Sequence, residues 1–290
     1  MVELDADWGT LDGWWQQFVQ NQKRDLEKLR TKIAALDEAW AQSDCVFDVD
    51  PLAADWTETN PQAGPLRAQE ENWSQWLAHI LRSSSGDFVS TLFDDVYTSP
   101  PATVRREQAY HDDELHDRRV DIILEWPNYG LSIEVKIDDT AYEKTPQTAY
   151  LTEQHHSRDL QWRHYLLVPE AKRSAVSEIF GSRLDVDGDR PTITPDGTAE
   201  QPVTVVYWLE VSQGLRQDLL TDGDASPHWQ ASAYLLITLI EQKILQFYAD
   251  PLLTEMFDTT VGVSDIDRIQ SIEPRDQLEY LERTMDSQHE

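Results

Sequence analysis

Three side chains near the middle of the chain have the types that metal-assisted chemistry on a phosphate requires. Asp121 stands in the apolar stretch RRVDIILEW, and Glu134 and Lys136 stand in GLSIEVKI. Proteins hold Mg²⁺ beside a phosphate with one or two carboxylates and several waters. The ion lowers the pKa of a bound water, and a neighbouring ammonium group offsets the negative charge that develops on the phosphoryl group. These residue types predict a metal centre that activates water.

A surface salt bridge is the alternative explanation, because an Asp followed about a dozen residues later by Glu-x-Lys also arises by chance. The apolar neighbours of the three residues favour a functional role. A charged group inside a buried strand is costly unless it is paired or binds a ligand.

Two strands are predicted to position these groups. Residues 118–126 and 130–137 have the composition of strands, and Pro127 and Gly130 favour a tight reversal between them. The chain is therefore expected to form a hairpin at this point.

The alternation of side chains along a strand places Glu134 and Lys136 on one face. If the hairpin is centred between Asn128 and Tyr129, Asp121 lies across from Lys136 and diagonal to Glu134. All three groups then converge at one end of the hairpin. A register shift of one residue would separate them, so the convergence is a prediction about register.

The elements around the hairpin predict an α/β fold. They are a helix at 67–83, a strand at 104–110, a helix at 145–158, a strand at 164–170, a loop at 183–202, a strand within 203–211 and a buried helix at 231–253. The first three strands are expected to be antiparallel. The fourth is expected to lie parallel to the third through a crossover connection.

A long helix is predicted at 11–42, followed by a Pro-, Asp- and Thr-rich linker to residue 66. Its apolar residues recur at coiled-coil spacing: Leu26, Leu29, Ile33, Leu36 and Trp40. This stripe packs either on the rest of the protein or on a partner, which includes a second copy in a homodimer.

The segment RRVDIILEWPNYGLSIEVKIDD resembles motifs II and III of the PD-(D/E)XK nuclease superfamily, through Asp121 and Glu134-Val135-Lys136. The helix with Glu70 or Glu71 resembles the helix that carries the motif I glutamate. Gln147-Thr148-Ala149-Tyr150 resembles the Gln/Tyr helix of the RecB-like and uncharacterised branches, although its spacing is three residues rather than four. The resemblance covers residues 67–170, and its motifs are short.

The resemblance implies a restriction-endonuclease-like αβββαβ core with a mixed sheet and with N- and C-terminal helical additions. It implies Mg²⁺- or Mn²⁺-dependent hydrolysis of DNA, less often RNA, in defence or repair. Asp121, Glu134 and the carbonyl of Val135 would bind the metal, and Lys136 would position the water. Three parts follow: an arm and linker at 1–66, a nuclease-like domain at 67–253 and an acidic helical appendage at 254–290.

The helical wheel distinguishes the two candidate helix carboxylates. Glu70 lies on the stripe of Trp73, Leu77 and Leu81, whereas Glu71 points about 150° away, toward solvent. Glu70 is therefore the predicted metal-site glutamate. In the alternative, both residues are first-turn carboxylates that the helix dipole favours.

The charge balance points to a saline environment. The chain has 54 acidic and 24 basic residues, of which seven are Lys, and its net charge is −30. Such a surface keeps a protein hydrated in a highly saline cytoplasm, where salt screens repulsion. The alternatives are an ordinary acidic protein and a nucleic-acid mimic.

The basic residues concentrate in 104–173, which has 10 of them against 14 acidic residues; the rest of the chain has 14 against 40. Of these, Arg105 and Arg119 are the predicted nucleic-acid contacts, together with Gln147 and Tyr150 from the resemblance. Ordinary ion pairing of the arginines and a core position for Tyr150 are the alternatives.

Other features restrict the possible classes of protein. A single cysteine, Cys45, excludes a disulfide within the chain and a cysteine-based zinc site. No apolar run approaches a membrane span and the first residues do not resemble a signal peptide, so a cytoplasmic protein is expected. His155, His156 and His164 have no further ligand at fixed spacing, and a solvated helix end is predicted there. A non-catalytic nucleic-acid-binding or assembly subunit of the same fold is the alternative function.

Overall fold

The computed structural model describes residues 5–54, 70–84, 87–93, 97, 99–111, 117–156, 159–221, 226–258 and 274–286. Within these residues, the side chains at positions 5–16, 18, 19, 70, 87, 256–258 and 286 are outside the description. The strands are β1 (Thr103–Tyr110), β2 (Arg118–Glu125), β3 (Tyr129–Val135), β4 (Gln161–Val168), β5 (Leu184–Asp185), β6 (Thr192–Ile193) and β7 (Val203–Tyr207). They form one sheet in the order β1-β2-β3-β4-β7-β6-β5.

The described helices come before, between and after these strands. They are α1 (Asp5–Ala41), α2 (Glu70–Ser83), α3 (Asp87–Leu92), α4 (Thr145–His155), α5 (Arg173–Phe180), α6 (Trp208–Leu220), α7 (Pro227–Leu239), α8 (Asp250–Asp258) and α9 (Pro274–Asp286). Among the described residues, no helix combines the length and apolar character of a membrane span.

The sheet is mixed, which confirms the predicted α/β class. The strand pairs β1–β2 and β2–β3 are antiparallel, and β3–β4 and β4–β7 are parallel. The prediction of a plain loop at 183–202 was wrong, because β5 and β6 lie there and extend the sheet beyond β7. A strand of two residues is too short to show an alternation of polar and apolar side chains. β5 and β6 are therefore evident only from their pairing with each other and with β7.

Helices cover both faces of the sheet. On one face, called the α2 face below, α2, α6 and α7 pack on an apolar core that includes Ile122 and Ile133. On the other, called the α4 face, α4 and α5 pack on residues that include Leu166 and Val168. The two faces provide the reference for locating each candidate site residue.

The N-terminal helix packs on the C-terminal part of the chain. Leu26, Leu29 and Ile33 of α1 are buried against residues of α9, including Tyr280 and Leu281. The coiled-coil stripe therefore packs within the molecule. The prediction of a linker from residue 43 was wrong at residues 50–52, since Asp50 and Leu52 are completely buried; residues 55–69 lie outside the described part.

The prediction of one continuous helix at 231–253 was also wrong. Helix α7 ends at Leu239, a π-helical turn spans Ile240–Ile244, and Gln246 has a left-handed φ of 56°. Glu241 in this turn is buried and bound to Arg216. A buried carboxylate within an apolar stretch needs such a partner.

Candidate active site

The β2–β3 hairpin brings Asp121 opposite Glu134. The pairs Ile122–Ile133 and Glu125–Gly130 set the register, and its continuation places Asp121 across from Glu134. The predicted opposition of Asp121 and Lys136 was therefore wrong by two residues. A shift by an even number of residues does not exchange the two faces, so the register still places Asp121 and Glu134 at the same end of the hairpin.

The pairing of β1 with β2 is interrupted at Asp121. The register runs from Thr103–Glu125 to Arg106–Ile122 and resumes at Gln108–Val120, so it omits the pair Glu107–Asp121. Glu107 has a left-handed φ of 51°, which is unfavourable for any residue with a Cβ.

The alternation of side chains along β2 reverses at the same place. Ile122 packs on the α2 face, so regular alternation would place Arg118 on that face and Arg119 on the α4 face. The contacts show the opposite. Arg118 Nη2 donates to Gln147 Oε1 of α4 at 3.0 Å, and Arg119 Nη2 donates to Glu71 Oε1 of α2 at 3.4 Å. Asp121 thus stands where both strands depart from regular geometry.

The carboxylate of Asp121 is buried and directed at β3. Its Oδ2 accepts a hydrogen bond from the main-chain N–H of Val135 at 2.8 Å. The next main-chain N–H, that of Lys136, points the other way and donates to Leu167 of β4. A side chain thus replaces the main-chain acceptor that a continued ladder would supply to Val135, and β2 and β3 part beyond this point.

Glu134 and Lys136 share one face, as predicted, and form an ion pair of 3.2 Å. Their side chains are only 14% and 13% exposed, so the pair is largely removed from water. Lys136 also lies 3.5 Å from Asp139. A hydrogen bond from the main-chain N–H of Ala141, together with the Lys136 ammonium, lowers the pKa of Asp139.

Sequence reasoning missed Asp139 as a member of this cluster. It lies beyond the end of β3, where strand alternation no longer predicts side-chain direction. The proximity of its carboxylate to Lys136, three residues earlier, was the available signal.

The donor set fits a small divalent cation. Asp121 and Glu134 are carboxylates on the neighbouring strands β2 and β3, and Val135 follows Glu134 on β3. Among the described residues, no group of three or more Asp, Glu, His or Cys side chains is arranged to hold a metal. Mg²⁺ commonly takes one or two carboxylates and completes its shell with water, and these two carboxylates are ligands of that kind.

The helix glutamate is described only in part. Glu70 begins α2, but its side chain lies outside the described residues, and its predicted role stays a prediction. Glu71 is exposed; it binds Arg119 through its carboxylate and accepts from Arg106 through its main-chain oxygen at 3.1 Å. Glu71 is therefore engaged on the α2 face.

The structure places Gln147, Tyr150 and Arg105 on the α4 side of the sheet and Arg119 on the other. Gln147 lies on the α4 face beside Arg118, and Tyr150 packs against a small apolar cluster. Arg105 lies 3.2 Å from Glu125 at the turn end of the hairpin. Arg119 is paired on the α2 face, away from Glu134 and Lys136.

The prediction of a solvated helix end holds for His155, which is exposed, and was wrong for His156 and His164. The side chain of His156 is 6% exposed and bridges Tyr110 and Glu125 at 3.0 and 2.9 Å. Burial raises the pKa of Tyr110 to about 12. Although burial opposes it, hydrogen bonds from Thr103 and His156 lower the pKa of Glu125.

His164 forms a second buried connection between the sheet and α4. Its Nδ1 lies 2.7 Å from Ser132 Oγ, and its Nε2 lies 3.1 Å from Glu153 Oε1. The two histidines therefore attach α4 to the sheet through polar contacts. The strand residues that contact His156 and His164 are distant from them in sequence, so a local sequence pattern does not reveal the burial of either histidine.

The comparisons with known proteins found no matching family model, no matching curated protein and no matching solved structure.

Proposed function

We propose that this chain is a Mg²⁺- or Mn²⁺-dependent nuclease that hydrolyses phosphodiester bonds, with DNA as the expected substrate. One arrangement carries the proposal: the β2–β3 register, continued by one residue, places Asp121 across from Glu134, and the Lys136 ammonium lies 3.2 Å from Glu134. The order α2-α3-β1-β2-β3-α4-β4 also supports the proposal, because it follows the αβββαβ order that the resemblance implies apart from the short helix α3.

Each side chain has a distinct proposed task. Asp121, Glu134 and the main-chain oxygen of Val135 would hold the cation, and Glu70 would complete the site through water. The bound cation supplies a water of lowered pKa and stabilises charge on the phosphate. Lys136 orients that water and offsets the developing negative charge. The hydrogen bond from Val135 to Asp121 holds this carboxylate in place before any cation binds.

Removal of a charged group at this centre tests the proposal. Wild-type protein, Asp121→Asn and Lys136→Ala are incubated with duplex and single-stranded DNA in multimolar KCl with Mg²⁺ or Mn²⁺. We expect cleavage to fall by roughly 100-fold or more in both variants, the effect typical of losing one charge-stabilising group. Lys28→Ala and Asp48→Asn, both exposed, serve as charge-matched controls and should cleave like wild type. Wild-type cleavage no faster than that of the two site variants would overturn the proposal.

The alternative, a non-catalytic nucleic-acid-binding subunit, is favoured by one observation. Lys136 lies beside both Glu134 and Asp139, so its ammonium can take the place of a metal. Calorimetric titration separates the two functions. A Mg²⁺ or Mn²⁺ binding signal that Asp121→Asn abolishes favours the nuclease; DNA binding without any metal signal favours the subunit.

A further inference from the structure

Arg118 differs from the other arginines around the candidate site. Its Nη1 donates to the carbonyl of Asp117 at 3.1 Å and its Nη2 to the side-chain oxygen of Gln147 at 3.0 Å, both neutral acceptors. Its Nε is buried and has no hydrogen-bond partner. Within the described part of the chain, no carboxylate lies at ion-pair distance from this guanidinium.

The neighbouring arginines already have carboxylate partners. Arg105 is paired with Glu125, Arg106 with Glu107, and Arg119 with both Glu71 and Glu107. In a chain with more than twice as many acidic as basic residues, a partly buried cation with only neutral acceptors is costly to retain. An anionic ligand would supply the missing charge.

Arg118 lies on the same face of the sheet as the candidate catalytic residues Glu134 and Lys136. Ser132 contacts His164 under α4, and Glu134, two residues later on β3, is the pairing partner of Leu166 in the α4-face core. Glu134 and Lys136 therefore lie on the α4 face. Because alternation in β2 reverses at Asp121, Arg118 lies on this same face and Arg119 on the other.

We propose that Arg118 is the phosphate-binding cation of the candidate active site and that Gln147 holds it in position. The inference rests on the proposed nuclease function, which it deepens by naming the group that binds the substrate backbone. A guanidinium presents a planar fork that pairs with two phosphate oxygens. Its bonds to Asp117 and Gln147 restrict the side chain and leave the remaining N–H groups of Nη1 and Nη2 as donors.

Steady-state kinetics on DNA test this role. In Arg118→Gln we expect KM to rise by roughly 10- to 100-fold, the range for losing a charged hydrogen bond, while kcat changes much less. Arg118→Lys keeps the charge but loses the planar fork of the guanidinium, so its KM should lie between those of wild type and Arg118→Gln. Gln147→Ala should raise KM by a smaller factor. Arg24→Gln, an exposed arginine on α1, removes the same charge far from the site and should leave KM unchanged.

Binding measured without turnover separates this inference from the nuclease proposal. Fluorescence anisotropy with a labelled DNA oligonucleotide compares Lys136→Ala with the double variant Lys136→Ala/Arg118→Gln at several KCl concentrations, with circular dichroism as the check on folding. We expect weaker binding in the double variant. The slope of log Kd against the logarithm of the KCl concentration should also be smaller by about one than in Lys136→Ala.

Each outcome has a definite meaning. If wild type cleaves DNA but KM and Kd are unchanged by Arg118→Gln, the role of Arg118 is overturned and the nuclease proposal stands. If wild type does not cleave and Arg118→Gln still weakens DNA binding, the nuclease proposal fails and the phosphate-binding role stands. If neither cleavage nor binding occurs, both are overturned.

Discussion

The strained residue Glu107 lies opposite Asp121 at the interruption of the β1–β2 ladder. A left-handed conformation costs a residue with a Cβ about 1–2 kcal/mol. Such strain persists only where the surrounding structure enforces it, and it is commonly found at functional sites. Here it coincides with the reversal of alternation that places Arg118 on the α4 face and Arg119 on the α2 face.

A comparison of two truncations isolates this strain. Glu107→Ala and Glu107→Gly both remove the ion pairs with Arg106 and Arg119, but only glycine adopts a positive φ without a steric penalty. We expect Glu107→Gly to be more stable than Glu107→Ala by about 1 kcal/mol, measured by denaturant unfolding. Equal stabilities, or a more stable alanine variant, would contradict a strained Glu107.

At the level of the element, the β2–β3 hairpin depends on a close contact with β4. Gly130 was predicted as a turn former. The structure shows that it is needed for space, since it lies beside Trp162 in the parallel ladder and a Cβ on it would come within 2.6 Å of the Trp162 ring. The hairpin that positions Asp121 and Glu134 thus packs against β4 through the Trp162 ring, which leaves no space for a side chain at position 130.

Gly130→Ala should therefore destabilise the protein by about 1–3 kcal/mol, the usual cost of overpacking. Gly214→Ala is the matched control. Gly214 lies inside α6, where a Cβ would meet Phe88 at an ordinary 3.4 Å and alanine favours the helix by about 1 kcal/mol. Thermal or denaturant unfolding of the two variants would show opposite shifts. A destabilisation of both to the same extent would refute the specific clash with Trp162.

At the level of the whole molecule, a buried network of charged side chains connects the N-terminal and C-terminal parts of the chain with α6. Arg216 of α6 is completely buried and binds both carboxylate oxygens of Glu241 and of Asp50. The hydroxyl of Tyr280, on the C-terminal helix, donates to Glu241 at 2.5 Å. The guanidinium carbon also lies 5.4 Å from the ring centre of Trp40 on α1. One cation thus contacts segments far apart in sequence.

Replacement of Arg216 by an uncharged residue should destabilise the protein strongly. We expect Arg216→Met to lower the free energy of unfolding by about 3–5 kcal/mol, because two buried carboxylates lose their partner. Arg283→Met, which removes an exposed pair with Glu279, should cost less than about 1 kcal/mol. Denaturant titration of both variants checks the contrast. Similar losses would show that the network contributes no more than a surface pair does.

The sequence by itself determined the elements around the site and the shared face of Glu134 and Lys136. These follow from hydrophobic periodicity and from strand alternation, which are properties of a few consecutive residues. The apolar stripe of α1 through Leu26, Leu29 and Ile33 followed in the same way, whereas its packing on α9 rather than on a partner was decided by the fold.

Only the tertiary structure decided the register of the hairpin, the reversal of alternation at Asp121, and the burial of His156, His164 and Arg216. Each depends on what lies across the strand or beneath the helix, and these neighbours are distant in sequence. A register is chosen by the sum of many cross-strand contacts, and a charged side chain is buried only where a remote partner meets it. For this reason the sequence indicated which residues could form the site, whereas the fold placed Arg118 rather than Arg119 on the same face of the sheet as Glu134 and Lys136.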